Sequence, residues 1–98
     1  MTEIRVPVTA LQASWLADLY QSGSETYAEA VSLGVRLEAW RGGEVLVVPR
    51  AAFSVLGTAV GIRADLADEG EYSPGVRSSV LGLAAKLAKA GVTKAAPL

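Results

Sequence analysis

The sequence predicts a small α+β domain, mainly helical, in the order β-α-α-β-α-α with a small sheet. Three observations carry this: a period-2 apolar pattern at the amino terminus, a second apolar run around residue 46, and four stretches with helical spacing bounded by cap and glycine signals. With 98 residues the chain holds a single domain, 1–98: a strand-helix-helix-strand half over 1–48, a helical pair over 49–91 and a tail over 92–98. At 51% apolar and 19% charged residues it has enough core-forming material to exclude a disordered chain.

In Ile4, Val6 and Val8 alternating with Glu3, Arg5 and Pro7 we read a strand with one buried face. Pro7 has no amide hydrogen, which places that strand at a sheet edge or against a symmetry mate. Thr9 followed by Gln12 has the form of a capping box, and Leu11, Trp15, Leu16, Leu19 and Tyr20 then follow helical spacing, giving a helix over about 10–21. After the turn Gln21-Ser22-Gly23-Ser24, either Ser24 or Thr26 can cap a second helix with Tyr27, Ala30, Val31, Gly34 and Val35 on its apolar side.

Residues 35–48 admit two readings. Val35 to Trp40 alternates as a strand would, and with Arg41-Gly42-Gly43-Glu44 and Val45 to Val48 it forms a hairpin on a Gly-Gly turn. In the other reading, which we prefer, the second helix continues to Trp40 and Gly42 is its cap. Both keep Val45 to Val48 as a strand.

Pro49 suits the start of a third helix over about 50–69, where Val55, Ala59, Ile62 and Leu66 form one stripe and small or apolar residues extend round most of the circumference. Asp65, Asp68 and Glu69 have the wrong sign for its carboxyl end, and Gly70 closes it. Ser73-Pro74 opens a fourth helix with Val76, Val80, Leu83, Ala84 and Leu87 on its stripe. Lys86 and Lys89 complement its last turn, and Gly91 ends it.

Composition excludes several chemistries. Without Cys or His there is no disulfide framework, no usual zinc site, no thiolate nucleophile and no imidazole acid or base. No nucleophile elbow or phosphate-binding glycine loop occurs. Asp65, Asp68, Glu69 and Glu71 lack the alternate spacing of a calcium loop and read as a solvated turn. We therefore expect no enzyme activity, no cofactor, no metal and no small-molecule substrate.

The net charge of −1 conceals an asymmetry. Residues 1–49 hold Arg5, Arg36 and Arg41 against Glu3, Asp18, Glu25, Glu29, Glu38 and Glu44, while the last 26 residues hold Arg77, Lys86, Lys89 and Lys94 and no acid. The longest uncharged apolar run, Ala51 to Ile62, is too short to cross a bilayer. No apolar leader pattern follows Met1, so an intracellular or virion location is expected.

Ile4-Arg5-Val6-Pro7-Val8, then Leu16 and Leu19, then Gly23-Ser24-Glu25-Thr26-Tyr27-Ala28-Glu29-Ala30-Val31 give residues 3–41 a form that resembles the ribbon-helix-helix family. The resemblance implies strands paired between two chains, a DNA-facing strand surface of Glu3, Arg5 and Pro7, and phosphate contacts near Ser24 and Thr26. Of these only Arg5 suits base readout, and the surrounding half is net negative, so DNA is a disfavoured partner. Abundant Ala, Arg in excess of Lys and the absence of Asn resemble proteins of high-GC genomes such as actinobacteria and their phages.

Gly57-x-x-x-Gly61 leaves two positions one turn apart free of side chains, open either to another backbone or to a bulky neighbour such as Trp15 or Trp40. Both tryptophans read as core residues. The expected function is a non-catalytic, self-associating interaction or assembly module, such as an accessory component of a phage or multi-subunit particle. Its partner is another copy or another protein, and its interface is drawn from Ile4, Val6, Val8, Gly57, Gly61, Val80 and Leu83. A ribbon-helix-helix regulator binding DNA through Arg5, Ser24 and Thr26 is the alternative.

Overall fold

The computed structural model describes residues 3–93, and they form β1 (Glu3–Val8), α1 (Ala10–Gln21), α2 (Glu25–Ser32), β2 (Arg36–Trp40), β3 (Gly43–Pro49), a 3-10 turn (Arg50–Ala52), α3 (Phe53–Asp68) and α4 (Pro74–Lys89). The fold is α+β and mainly helical, as the patterning predicts. None of the helices is long and apolar enough to cross a membrane among the described residues.

The preferred reading of residues 35–48 is overturned: they form the hairpin, and the second helix stops at Ser32. Gly34 explains the stop. Its φ of +108° is left-handed, and the amides of Gly34 and Val35 bond back to the carbonyls of Val31 and Ala30 in a Schellman cap. A Cβ there would lie 2.9 Å from Pro49 Cγ, so close packing against the end of β3 also requires glycine. The hairpin loop is Arg41-Gly42 rather than Gly-Gly. Both residues have positive φ, +48° and +80°, as a type I′ turn demands, and the Arg41 guanidinium stacks 4.9 Å over the Trp40 ring.

The other three helices end the same way, with left-handed glycines at Gly23, Gly70 and Gly91 followed by paired backward bonds. At α4 the residue after that glycine is Val92, whose amide bonds to Leu87 at 2.7 Å and whose side chain is buried in the core. Val92 is therefore not part of the expected tail; positions 94–98 lie outside the described residues. At the amino ends, Thr9 and Gln12 form the predicted capping box of α1 and Ser24 caps α2 through the Tyr27 amide. Ser73 and Pro74 open α4 as expected, though without a side-chain cap bond.

The sheet is antiparallel in the order β1-β3-β2, which puts Pro7 on an edge strand. On one face Ile4, Val6, Leu46, Val48 and Leu37 pack against Leu16, Leu19, Leu56, Val60, Leu83 and Leu87 from the helices. Gln12, the one buried polar side chain among the described residues, ties α1 to α4. Its Oε1 accepts from the Thr9 amide at 3.0 Å and from Lys86 Nζ at 2.9 Å, and its Nε2 donates to the Ser79 carbonyl at 3.2 Å.

On the second face of the sheet Val45 and Val47 of the central strand lie outside the helix-packed core cluster of the described residues, yet they are 3% and 0% exposed. The register explains this. Val47 lies opposite Arg5 on one side and Arg36 on the other, and Val45 lies between Pro7 and Glu38. Arg5 bonds Glu38 at 2.8 Å and Glu3 at 3.3 Å, while Arg36 bonds Glu38 at 2.8 Å and reaches Glu3 at 3.9 Å. Four charged side chains thus close into a net-neutral network in which Arg5 and Arg36 flank Val47 and Glu38 stands beside Val45. Burying each valine is worth about 1.5–3 kcal/mol, whereas exposed ion pairs contribute little, so covering outweighs pairing.

The two arginines hold the Glu38 carboxyl below the usual carboxylate range, chiefly through the hydrogen bond from Arg5 and then that from Arg36. Because the folded-state value is lowered, this contribution to stability is present above the ordinary value of 4.5 and is lost as pH falls through the lowered one. Glu38→Gln is expected to lower the urea midpoint slightly at pH 7. Its difference from wild type should shrink in acid and in salt of about 1 M, where the Debye length is ~3 Å; a gap constant with pH contradicts the assignment.

Candidate functional site

Four shallow grooves open on the described surface, each lined mainly by apolar atoms. The first is a cleft of about 180 Å³ between α3 and α4, floored by Val60, Gly61, Ala84, Leu87 and Ala88, with Asp65 at one end and Val92 and Thr93 at the other. Its shape follows from sequence, since Gly61, Ala84 and Ala88 are too small to fill the seam. Ile62, half exposed, stands beside it on α3.

The two glycines of Gly57-x-x-x-Gly61 have different neighbours. A Cβ on Gly57 would collide with the backbone of Thr93, so this glycine seats the chain's own segment after α4, not Trp15 or Trp40. A Cβ on Gly61 would meet nothing within 4 Å. Only Gly61 of the pair is open to another molecule.

The other sequence-predicted interface residues divide similarly. Val80 and Leu83 are fully buried inside the chain and Val6 nearly so, which corrects their placement at a contact between copies: they fill the protein's own core. Ile4 and Val8 are half-buried and pack against that core. Trp15 is half-buried, lining a groove of about 200 Å³ with Leu11, Val76 and Ser79. Trp40, read as a core residue, is instead 45% exposed at the hairpin tip, because the hairpin carries it away from the helices.

Of the residues implied by the ribbon-helix-helix resemblance, Arg5 faces outward but is held by Glu38 and Glu3, Ser24 caps α2, and Thr26 is half-buried in the first turn of α2. β1 pairs with β3 of its own chain and keeps one free edge. Along that edge runs a groove of about 420 Å³ lined by Arg5, Val6, Pro7, Lys86, Lys89 and Ala90. Sequence reasoning treats the two lysines only as partners of a helix end. Their approach to β1 depends on how α4 crosses the sheet, which residue spacing within α4 does not encode.

A fourth groove, lined by Tyr20, Tyr27, Val31 and Leu37, holds an edge-to-face tyrosine pair with centroids 6.3 Å apart. Burial pushes the Tyr27 phenol up to about 12, so it stays protonated at neutral pH. No group of acidic side chains among the described residues could hold a metal ion. No protein-family model, curated protein or solved structure matches the chain.

The two glycines make a paired test. Gly57→Ala should destabilise by about 1–3 kcal/mol as it displaces Thr93, while Gly61→Ala should stabilise by up to about 1 kcal/mol through helix propensity. Urea unfolding of both variants measures this, and equal effects would contradict the assignment of Thr93 to Gly57.

Proposed function

We propose that this protein is a non-catalytic module that acts by associating with other copies of itself, as a small subunit of a larger assembly. The α3–α4 cleft carries this reading: it is apolar, lined by residues that admit close approach, open at Gly61, and flanked by the exposed Ile62. Its lining suits another apolar surface better than a polar substrate. The chain's lack of Cys and His supports the non-catalytic reading.

Duplex DNA is the less favoured partner. Reading a groove with Arg5 would require breaking its ion pairs with Glu38 and Glu3, and those two carboxylates would then face phosphates.

Sedimentation velocity over roughly 10–100 µM, the range in which a contact worth about −6 kcal/mol is half formed, tests the proposal. The sedimentation coefficient is expected to rise with concentration, and Ala88→Glu, an exposed substitution in the cleft, is expected to weaken that rise. A strictly monomeric wild type across the range contradicts self-association.

A further inference from the structure

The groove along the free edge of β1 carries two lysine ammonium groups that no described carboxylate neutralises. Lys86 Nζ donates to the Pro7 carbonyl at 3.1 Å and to Gln12 Oε1 at 2.9 Å, both uncharged acceptors. Among the described residues neither Lys86 nor Lys89 has a carboxylate within ion-pair distance. The carboxyl end of α4 offers them the equivalent of about half a negative charge, which two ammonium groups exceed.

The opposite charge stands at the other end of the same helix. The turn from α3 into α4 projects Glu69 and Glu71 into solvent with no cation paired to them among the described residues, while Asp68 beside them is held by Arg77 at 3.3 Å. Glu69 is also the C-cap of α3, where the helix dipole is negative and no basic residue of the last turn compensates. A cation brought from outside is favoured there twice over.

These two surfaces cannot satisfy each other within one molecule. The sixteen residues of α4 span about 24 Å, some three Debye lengths at physiological ionic strength (~8 Å). A second copy can satisfy both, since the acidic turn is exposed at Glu69, Gly70 and Glu71 and the basic groove is open to solvent, with Val6, Pro7 and Ala90 beside its lysines. We propose that copies associate head to tail, the 69–71 turn of one seated against Lys86 and Lys89 of the next. Such a contact uses two different patches, so it propagates into a ring or a filament instead of closing as a two-fold dimer. The inference rests on the self-association reading and adds to the α3–α4 cleft a charged pair of surfaces.

Charge reversal and mixing test it. Wild-type protein, Lys89→Glu and Glu69→Lys/Glu71→Lys are each sedimented at low salt and at about 1 M salt, and the two variants are also mixed in equal amounts. All the substituted side chains are exposed, so folding should survive. We expect wild-type association to fall in high salt, each variant alone to associate at least about tenfold more weakly, and the mixture to recover association because reversed charges then face each other. Wild-type association indifferent to salt and to both variants would overturn the head-to-tail contact while leaving self-association standing. A monomeric wild type at low salt would overturn both.

Discussion

The structure is organised around the burial of a central strand on both faces in a chain with enough helices for only one. Val45, Leu46, Val47 and Val48 run consecutively and all are buried. Leu46 and Val48 meet the helices, whereas Val45 and Val47 face away from them. A bare valine surface would invite a second sheet or a partner. The chain answers with Arg5, Arg36, Glu3 and Glu38, a network in which Arg5 and Arg36 flank Val47, Glu38 stands beside Val45 and the charges cancel one another. The outward surface of β1 therefore belongs to a charge network with no net sign.

With that face closed, the places where other molecules can act move to the helices and the sheet edge. Pro7 brings no amide hydrogen and its carbonyl is engaged by Lys86, so the free edge of β1 is guarded against a further strand while its side chains remain accessible. The α3–α4 seam stays open because Gly61, Ala84 and Ala88 do not fill it, even though Thr93 closes the same seam one turn away at Gly57. Gln12 ties α1 to α4 and Lys86 ties α4 to the Pro7 carbonyl of β1, so the lysine groove is built on helix and strand instead of a loop.

Much of the fold was legible in the sequence because its punctuation is local. The Thr9-Gln12 box, Ser24, Ser73-Pro74 and the glycines at 23, 70 and 91 act on their own neighbours, and each sits where expected. Gly34 was misread because small residues also suit a helix's packing face, and only its left-handed φ and the closeness of Pro49 show it to be a terminator. The site was less legible. Val80 and Leu83 have the composition of an interface but lie inside the chain, and the lysine groove and the Thr93 contact join residues far apart in sequence. Val92 carried a readable signal: an apolar residue directly after a helix-ending glycine is the usual hydrophobic partner of that cap.

Whether coverage or charge seals the outer sheet face can be measured directly by comparing two double variants in urea. Arg5→Ala/Arg36→Ala removes the stems beside Val47, whereas Glu3→Gln/Glu38→Gln keeps every stem and removes only the acidic charges. If the stems do the sealing, the alanine pair unfolds at a clearly lower urea concentration than the glutamine pair. The opposite order, or an alanine pair as stable as wild type, would show that Val47 is protected by something other than the arginines beside it.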